Sequence, residues 1–222
     1  MLKKLIFLLI AFGFIVNAQN NFNYKNDFKT ILAKTKDAND KLNYNKLLSR
    51  FQINDSTLTN AEVLALMIGF TARPEYKPSV DLKEERAIYN LNAEGKYDAA
   101  LKKADEFLKT HPLSIKAIYE ISFAYYKAGN TEMAKFYVKQ GQRLFKAMTY
   151  SGNGKTKQTP IFALSSEDGQ EYIYKYLQGG IGEMDSVRDD NGNNLDILEA
   201  TFKVGEPYKL FFISEHGAAS SK

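Results

Sequence analysis

The sequence has no cysteine and no tryptophan, two histidines and five prolines in 222 residues. Without cysteine there can be no disulfide, no thiol nucleophile and no thiolate metal site. His111 and His216 are the only imidazoles and lie far apart, so a multi-histidine metal centre is not expected. A strong excess of one charge is also missing, with 30 basic against 26 acidic residues. No run of Lys and Arg reads as a nucleic-acid stripe. Beyond Ala18 no segment is long and apolar enough to cross a membrane. What is present is a hydrophobic fraction of 44%, enough to build a globular core. The length suits one medium domain or two small ones.

The N-terminus carries a processing signal. Lys3 and Lys4 precede an apolar run from Leu5 to Val16, and Val16-Asn17-Ala18-Gln19 offers a cleavage site after Ala18. The competing reading is a membrane anchor, but twelve helical residues reach only about 18 Å against a bilayer core of roughly 30 Å. Residues 1–18 are therefore expected to be a signal peptide and the protein to be exported, periplasmic or secreted, and soluble. Removing Lys3 and Lys4 would leave 28 basic against 26 acidic residues, a charge of +2.

Residues 19–27 are Asn-rich and expected to be flexible. A helical pattern begins at Phe28, with Ile31 and Leu32 on one face, and a second follows through Leu42, Leu47, Leu48 and Phe51. Thr59-Asn60-Ala61-Glu62 has the form of a capping box that opens a third, apolar helix through Val63, Leu64, Leu66, Met67 and Phe70. The stretch from Pro74 to Pro78 breaks it.

The middle of the chain repeats. The step from Gly95 to Gly129 equals the step from Ala100 to Ala134, and Pro112 follows the first alanine's helix. The glycines fall where a helix must stop, because Gly enters the left-handed cap conformation without a Cβ clash. The alanines are small where two helices must approach. Tyr97, Ala100, Leu101, Ala104, Phe107 and Leu108 share one helical face, and Ala134, Tyr137, Val138, Gly141, Leu144, Phe145 and Met148 another. From about Leu82 to Met148 this resembles the tetratricopeptide repeat, a helix-turn-helix unit whose period of about 34 residues is the same step. The departures are Glu84, where a large aromatic is usual, and Phe107 and Gly141, where Ala is usual. Two repeats cannot bury a solenoid core alone, so the N-terminal helices are expected to complete the stack.

After Tyr150 the period changes. Pro160 to Ser165, the tyrosine-rich Glu171 to Leu177, Leu195 to Val204 and Tyr208 to Ser214 read as short antiparallel strands. Asp168-Gly169, Asp190 to Asn193 and Gly205-Glu206-Pro207 read as turns and Gly179 to Gly182 as a loop. Tyr172, Tyr174 and Tyr176 would form a half-buried ladder. Residues 216–222, with His216, read as a disordered tail. The fold class is thus α+β: a tetratricopeptide-like helical array over 28–150, then a small antiparallel sheet over 151–215 packed on the helices.

Ser151-Gly152-Asn153-Gly154-Lys155-Thr156 looks like the end of a phosphate-binding loop. That loop needs Gly at position 149, which is Thr149, and needs a strand before and a helix after; here the order is reversed. Asp189-Asp190-Asn191-Gly192 fails as a calcium loop, because Val187 and Leu198 would stand where carboxylates are required. His111 reads as a solvated loop residue, and no Ser, His and Asp motif supports a triad. No catalytic, cofactor-binding, nucleotide or metal site is therefore expected. One constellation remains: Lys116, Tyr119, Phe123 and Tyr126 share a helical face, with Lys127 beside them. In the repeats this chain resembles, those positions line a concave groove that takes peptides. The rings would grip an extended segment while Lys116 and Lys127 pair with carboxylates. The alternative is that the face is covered by the N-terminal helices or the sheet.

A wider resemblance rests on Gly69-Phe70 with Tyr76 and Pro78, on Ser151 to Gly154, on Glu171-Tyr172 and on Leu210-Phe211-Phe212. Over about Phe28 to Ser214 the chain resembles the domain of unknown function numbered 4919, known from exported proteins of Bacteroidota. The resemblance implies an exported protein with no assigned activity or catalytic residues. The expected function is a non-catalytic, envelope-located protein or peptide binder. The alternatives are a hydrolase with carboxylates in a cleft between helices and sheet, and a structural or immunity-like protein that pairs through a sheet edge.

Overall fold

A computed structural model of the chain describes residues 22–216; the expected signal peptide, and the rest of the tail beyond His216, lie outside the described residues. Seven helices come first: α1 (Tyr24–Lys36), α2 (Tyr44–Gln52), α3 (Asn60–Phe70), α4 (Pro78–Ala93), α5 (Tyr97–Leu108), α6 (Ile115–Lys127) and α7 (Thr131–Ser151). Strand β1 (Ile161–Phe162), helix α8 (Ser166–Glu171) with a π-helical turn over Tyr172–Tyr176, and strands β2 (Gly180–Arg188), β3 (Asn194–Thr201) and β4 (Tyr208–Ile213) complete the chain. The architecture is α+β.

Local chemistry fixes the helix ends. Thr59 and Glu62 form the reciprocal capping box that opens α3. Pro78 starts α4 at a position where its missing N–H costs nothing. The ends of α4 and α6 share one geometry. Lys96 N–H donates to Leu91 O and Gly95 N–H to Asn92 O; one repeat period on, Asn130 N–H donates to Tyr125 O and Gly129 N–H to Tyr126 O. Gly95 and Gly129 have φ of 74° and 82°. Both corners therefore use the crossed pair of bonds that a left-handed residue permits after a helix. Ala100 and Ala134 are buried beside the neighbouring helices. Glu84 on α4 accepts from Lys103 of α5 at 2.6 Å.

Helix α3 is apolar all round and buried from Val63 to Phe70. It packs against α1, α2 and α7, so the N-terminal helices do complete the stack. The main core continues from α2 and α3 through Leu144, Phe145 and Met148 to Phe162, Leu198 and Phe212 of the sheet. A smaller cluster of Ile88, Ala104, Phe107, Ala117 and Ile121 lies between α4, α5 and α6.

The sheet runs β1-β4-β3-β2. It is mixed rather than wholly antiparallel, since β1 lies parallel to β4 with Phe162 opposite Ile213. The residues Ser151 to Gly154 are the splice between α7 and β1: Phe162 N–H donates to Ser151 Oγ at 2.7 Å, and Phe211 N–H to Gly154 O at 2.8 Å. Residues Asp189–Asn193 are the β2–β3 turn, with the Asp189 carboxylate accepting from the backbone N–H groups of Asn191 and Asn193.

Five further expectations are corrected. Asp168-Gly169 is not a hairpin turn but lies in α8, whose N-cap Ser165 accepts from Asp168 N–H. Tyr172, Tyr174 and Tyr176 are not a strand ladder; they sit on the π-helical turn that continues α8, with Tyr172 buried and the other two exposed. Of the loop expected at Gly179–Gly182, all but Gly179 is the start of β2. Gly182 belongs there because a Cβ would strike the Glu199 carboxylate, which accepts from Glu183 N–H across an irregular register. Residues 24–27 already belong to α1.

The fifth concerns His216, which is not a tail residue in water. Its ring stacks on Phe162 with centroids 4.3 Å apart and lies 5.7 Å from Phe28. Nε2 faces Ala163 O at 2.6 Å and so carries the proton; Nδ1 then accepts from Tyr24 O–H at 3.0 Å. The two ends of the described chain are clasped over β1.

Candidate functional site

Helices α4, α5, α6 and α7 enclose an open groove of about 770 Å³. Its floor is tied by buried polar bonds. Asn92 Nδ2 donates to Glu120 O at 2.9 Å and Glu120 Oε2 at 2.7 Å, linking α4 to α6. Ser122 Oγ donates to Ala134 O at 2.9 Å, linking α6 to α7. The Asn92 amide oxygen has no partner among the described residues. Above the floor the aromatic wall stands in water: Tyr89 is 50%, Phe123 42% and Tyr126 61% exposed. Tyr97 meets Phe123 edge-on at 6.2 Å, and Lys127 Nζ sits 5.3 Å above the Phe123 ring.

Of the five residues singled out on α6, four line this groove: Tyr119, Phe123, Tyr126 and Lys127. The fifth does not, and its expected role is corrected. Lys116 Nζ pairs with Glu167 at 2.8 Å and Glu171 at 3.7 Å, pinning α6 to α8. Burial alone would lower the Lys116 ammonium, but the Glu167 hydrogen bond and the Glu167, Glu171 and Glu85 charges outweigh it and hold it above its ordinary value. It is committed within the chain and is not a free contact for a partner.

Tyr119 is half-buried and shapes the closed end of the groove. It stacks on Phe145 at 5.7 Å, and Lys175 lies 5.3 Å from its centroid on the other side. The ring fills the space that a side chain at position 141 would need, which accounts for the glycine inside α7. This gives a test by sign. Alanine is favoured over glycine inside a helix by about 1 kcal/mol, whereas overpacking costs about 1–3 kcal/mol. Gly141→Ala is expected to lose stability in urea unfolding. In a Tyr119→Ala background the same change should gain stability. Gain in both backgrounds would mean the contact does not exist.

The sequence reading missed Tyr89, Asn92, Tyr97, Lys135 and Lys175, which also line the groove. A signal existed for two of them: Tyr89 and Asn92 lie one repeat period before Phe123 and Tyr126.

A second set of polar groups converges where α4 and α6 meet α8. Asp81, Glu85, His111, Ser114 and Asp168 surround a space of about 30 Å³, room for about one water. Burial, then the Glu85, Glu171 and Glu167 charges, push the Asp168 carboxyl well above the usual range, although Leu164 N–H donates to it. Burial also raises Glu85, against a hydrogen bond from Ser114, and Asp81, against the charge of His111. His111 is therefore not a solvated loop residue. Its ring stacks on Phe107 at 4.3 Å, and Nε2 lies 3.0 Å from Glu75 O and 3.3 Å from Asp81. Phe107, where alanine is usual, supplies that stacking surface. These groups come from three separate segments of the chain, and no spacing in the sequence joins them.

Strand β2 is an edge of the sheet, with Glu183, Asp185 and Arg188 along it. Charges so placed discourage pairing with a further strand.

No curated protein and no solved structure matches the chain. The match to a family is extensive: residues 29–206 fit the model described as Domain of unknown function (DUF4919). The chain belongs to that family.

Proposed function

We propose that the protein is a non-catalytic binding or scaffolding protein, exported to the cell envelope, that holds an extended segment of another protein in the α4–α7 groove. The observation that carries this reading is the exposed aromatic wall of Tyr89, Phe123 and Tyr126 beside a groove of about 770 Å³. Large rings left in water gain most when a partner covers them. The repeat-like spacing of the two helix corners adds to it, because stacked helical hairpins present a concave face. The N-terminal apolar run supports export. The hydrolase reading draws only on the Asp81, Glu85 and Asp168 cluster, whose space takes about one water and leaves no room for a substrate.

Selection of a displayed random-peptide library on the purified protein tests the proposal. The enriched peptides should bind the wild type and lose at least about tenfold in affinity on the Phe123→Ala/Tyr126→Ala variant, since central aromatic contacts each contribute about 1–2 kcal/mol or more. Peptides that bind both proteins equally would place the binding surface elsewhere.

A further inference from the structure

We infer that the segment held in this groove is acidic at alternate positions and apolar between them. The inference rests on the binding reading above and names the partner's chemistry. The groove has two unlike walls. Tyr89, Phe123 and Tyr126 form the aromatic one. The other is the lip of α7, where Lys135 lines the groove and Lys139 and Lys146 follow at i+4 and i+11, within about 40° of one another around the helix. All three lysines are exposed, and none has a carboxylate at ion-pair distance among the described residues. The carboxylates close to the groove are already engaged. Glu120 accepts from Asn92 in the floor, and Glu171 is shared by Lys116 and Lys175. The lip is thus an uncompensated cationic row facing an apolar wall.

The spacing selects the conformation of the occupant. Lys135 and Lys139 are about 6 Å apart along the helix. An extended chain returns a side chain to the same face every ~6.8 Å. A strand-like segment with Asp or Glu at every second position can therefore meet successive lysines from one face. Its other face carries the intervening apolar residues onto the rings. A helix in the groove would not separate the two sets in this way, because its faces repeat about every 3.6 residues.

The test uses a fluorescent peptide of about eight residues alternating Glu and Leu, long enough to cover the ~17 Å from Lys135 to Lys146. Its counterpart alternates Lys and Leu. Anisotropy titrations of the purified protein are expected to show tighter binding of the Glu peptide, weakening as salt is raised. Lys135→Glu/Lys139→Glu should weaken it by about tenfold or more, with the melting temperature unchanged because both side chains are exposed. Equal or tighter binding of the Lys peptide, indifference to the charge reversal, or no binding of either peptide would overturn the inference. If Phe123→Ala/Tyr126→Ala still weakens peptides selected from the library, the groove reading survives that failure. If it weakens none, the groove reading falls as well. Vesicles of anionic phospholipid form the last arm. Binding to them that needs the lysines but not the rings would assign the row to a lipid surface and overturn the peptide assignment.

Discussion

Phe162→Ala is expected to lower the unfolding free energy by about 3–5 kcal/mol, seen as a fall in the urea midpoint with little change in slope. Phe162 is fully buried in a strand of only two residues. Its ring stacks on His216 at 4.3 Å and lies 6.3 Å from both Tyr24 and Phe28. Those neighbours come from opposite ends of the described chain, so truncation opens a cavity between α1, β1 and the residues after β4. Backbone pairing around β1 is short, and little there can collapse to fill the gap. A loss below about 1 kcal/mol would mean that the clasp contributes little to the core.

Acidification should act on the same clasp. Burial lowers the His216 imidazole from 6.5 to about 4, opposed by its bond to Ala163. Above pH 6.5 the ring is neutral in both folded and unfolded chains, and its full contribution is present. Between pH 6.5 and about 4 the unfolded chain takes up a proton that the folded ring refuses, so stability falls by up to roughly 3 kcal/mol. The raised carboxylates work in the opposite direction. Asp168, Glu85 and Asp81 are penalised as pH rises above the ordinary carboxylate range, and lowering the pH relieves that cost. The His216 contribution is isolated by comparing the pH profile with that of His216→Phe, which keeps an aromatic ring on Phe162 but cannot titrate. The variant should be less stable at pH 7, since Ala163 O and Tyr24 O–H lose a partner, yet flatter between pH 6.5 and 4. Parallel profiles would contradict the buried, neutral histidine.

The parts of the fold legible in the sequence were those encoded locally. Thr59 and Glu62 specify a helix start by their own hydrogen bonds, and Gly95 and Gly129 specify helix ends by their own dihedral angles. The aromatic face of α6 was legible for the same reason, because helical spacing alone puts Tyr119, Phe123 and Tyr126 together. The misread stretch, residues 166–177, was decided by tertiary contacts. Its tyrosines favour strands in isolation. Yet Tyr172 is held by a hydrogen bond to Thr149 at 2.9 Å and lies edge-on to Phe145 and Phe212. The Ser165 cap with Glu167 and Asp168 in the first turn was a helix signal that the aromatic pattern obscured. Lys116 was misjudged because its partners, Glu167 and Glu171, lie on that same misread helix. His216 has no local pattern at all, and only the long-range approach of Phe162 buries it.

The central claim is that Phe123 and Tyr126 stand free in the folded protein to receive a partner. Thermal unfolding of Phe123→Ala/Tyr126→Ala beside the wild type, with titration of one selected peptide into each, tests it most directly. The account predicts stabilities within about 1 kcal/mol of each other and peptide binding lost only in the variant. A variant that melts far below the wild type would show the rings to be core, and one that keeps full affinity would show that the groove is not where the partner sits.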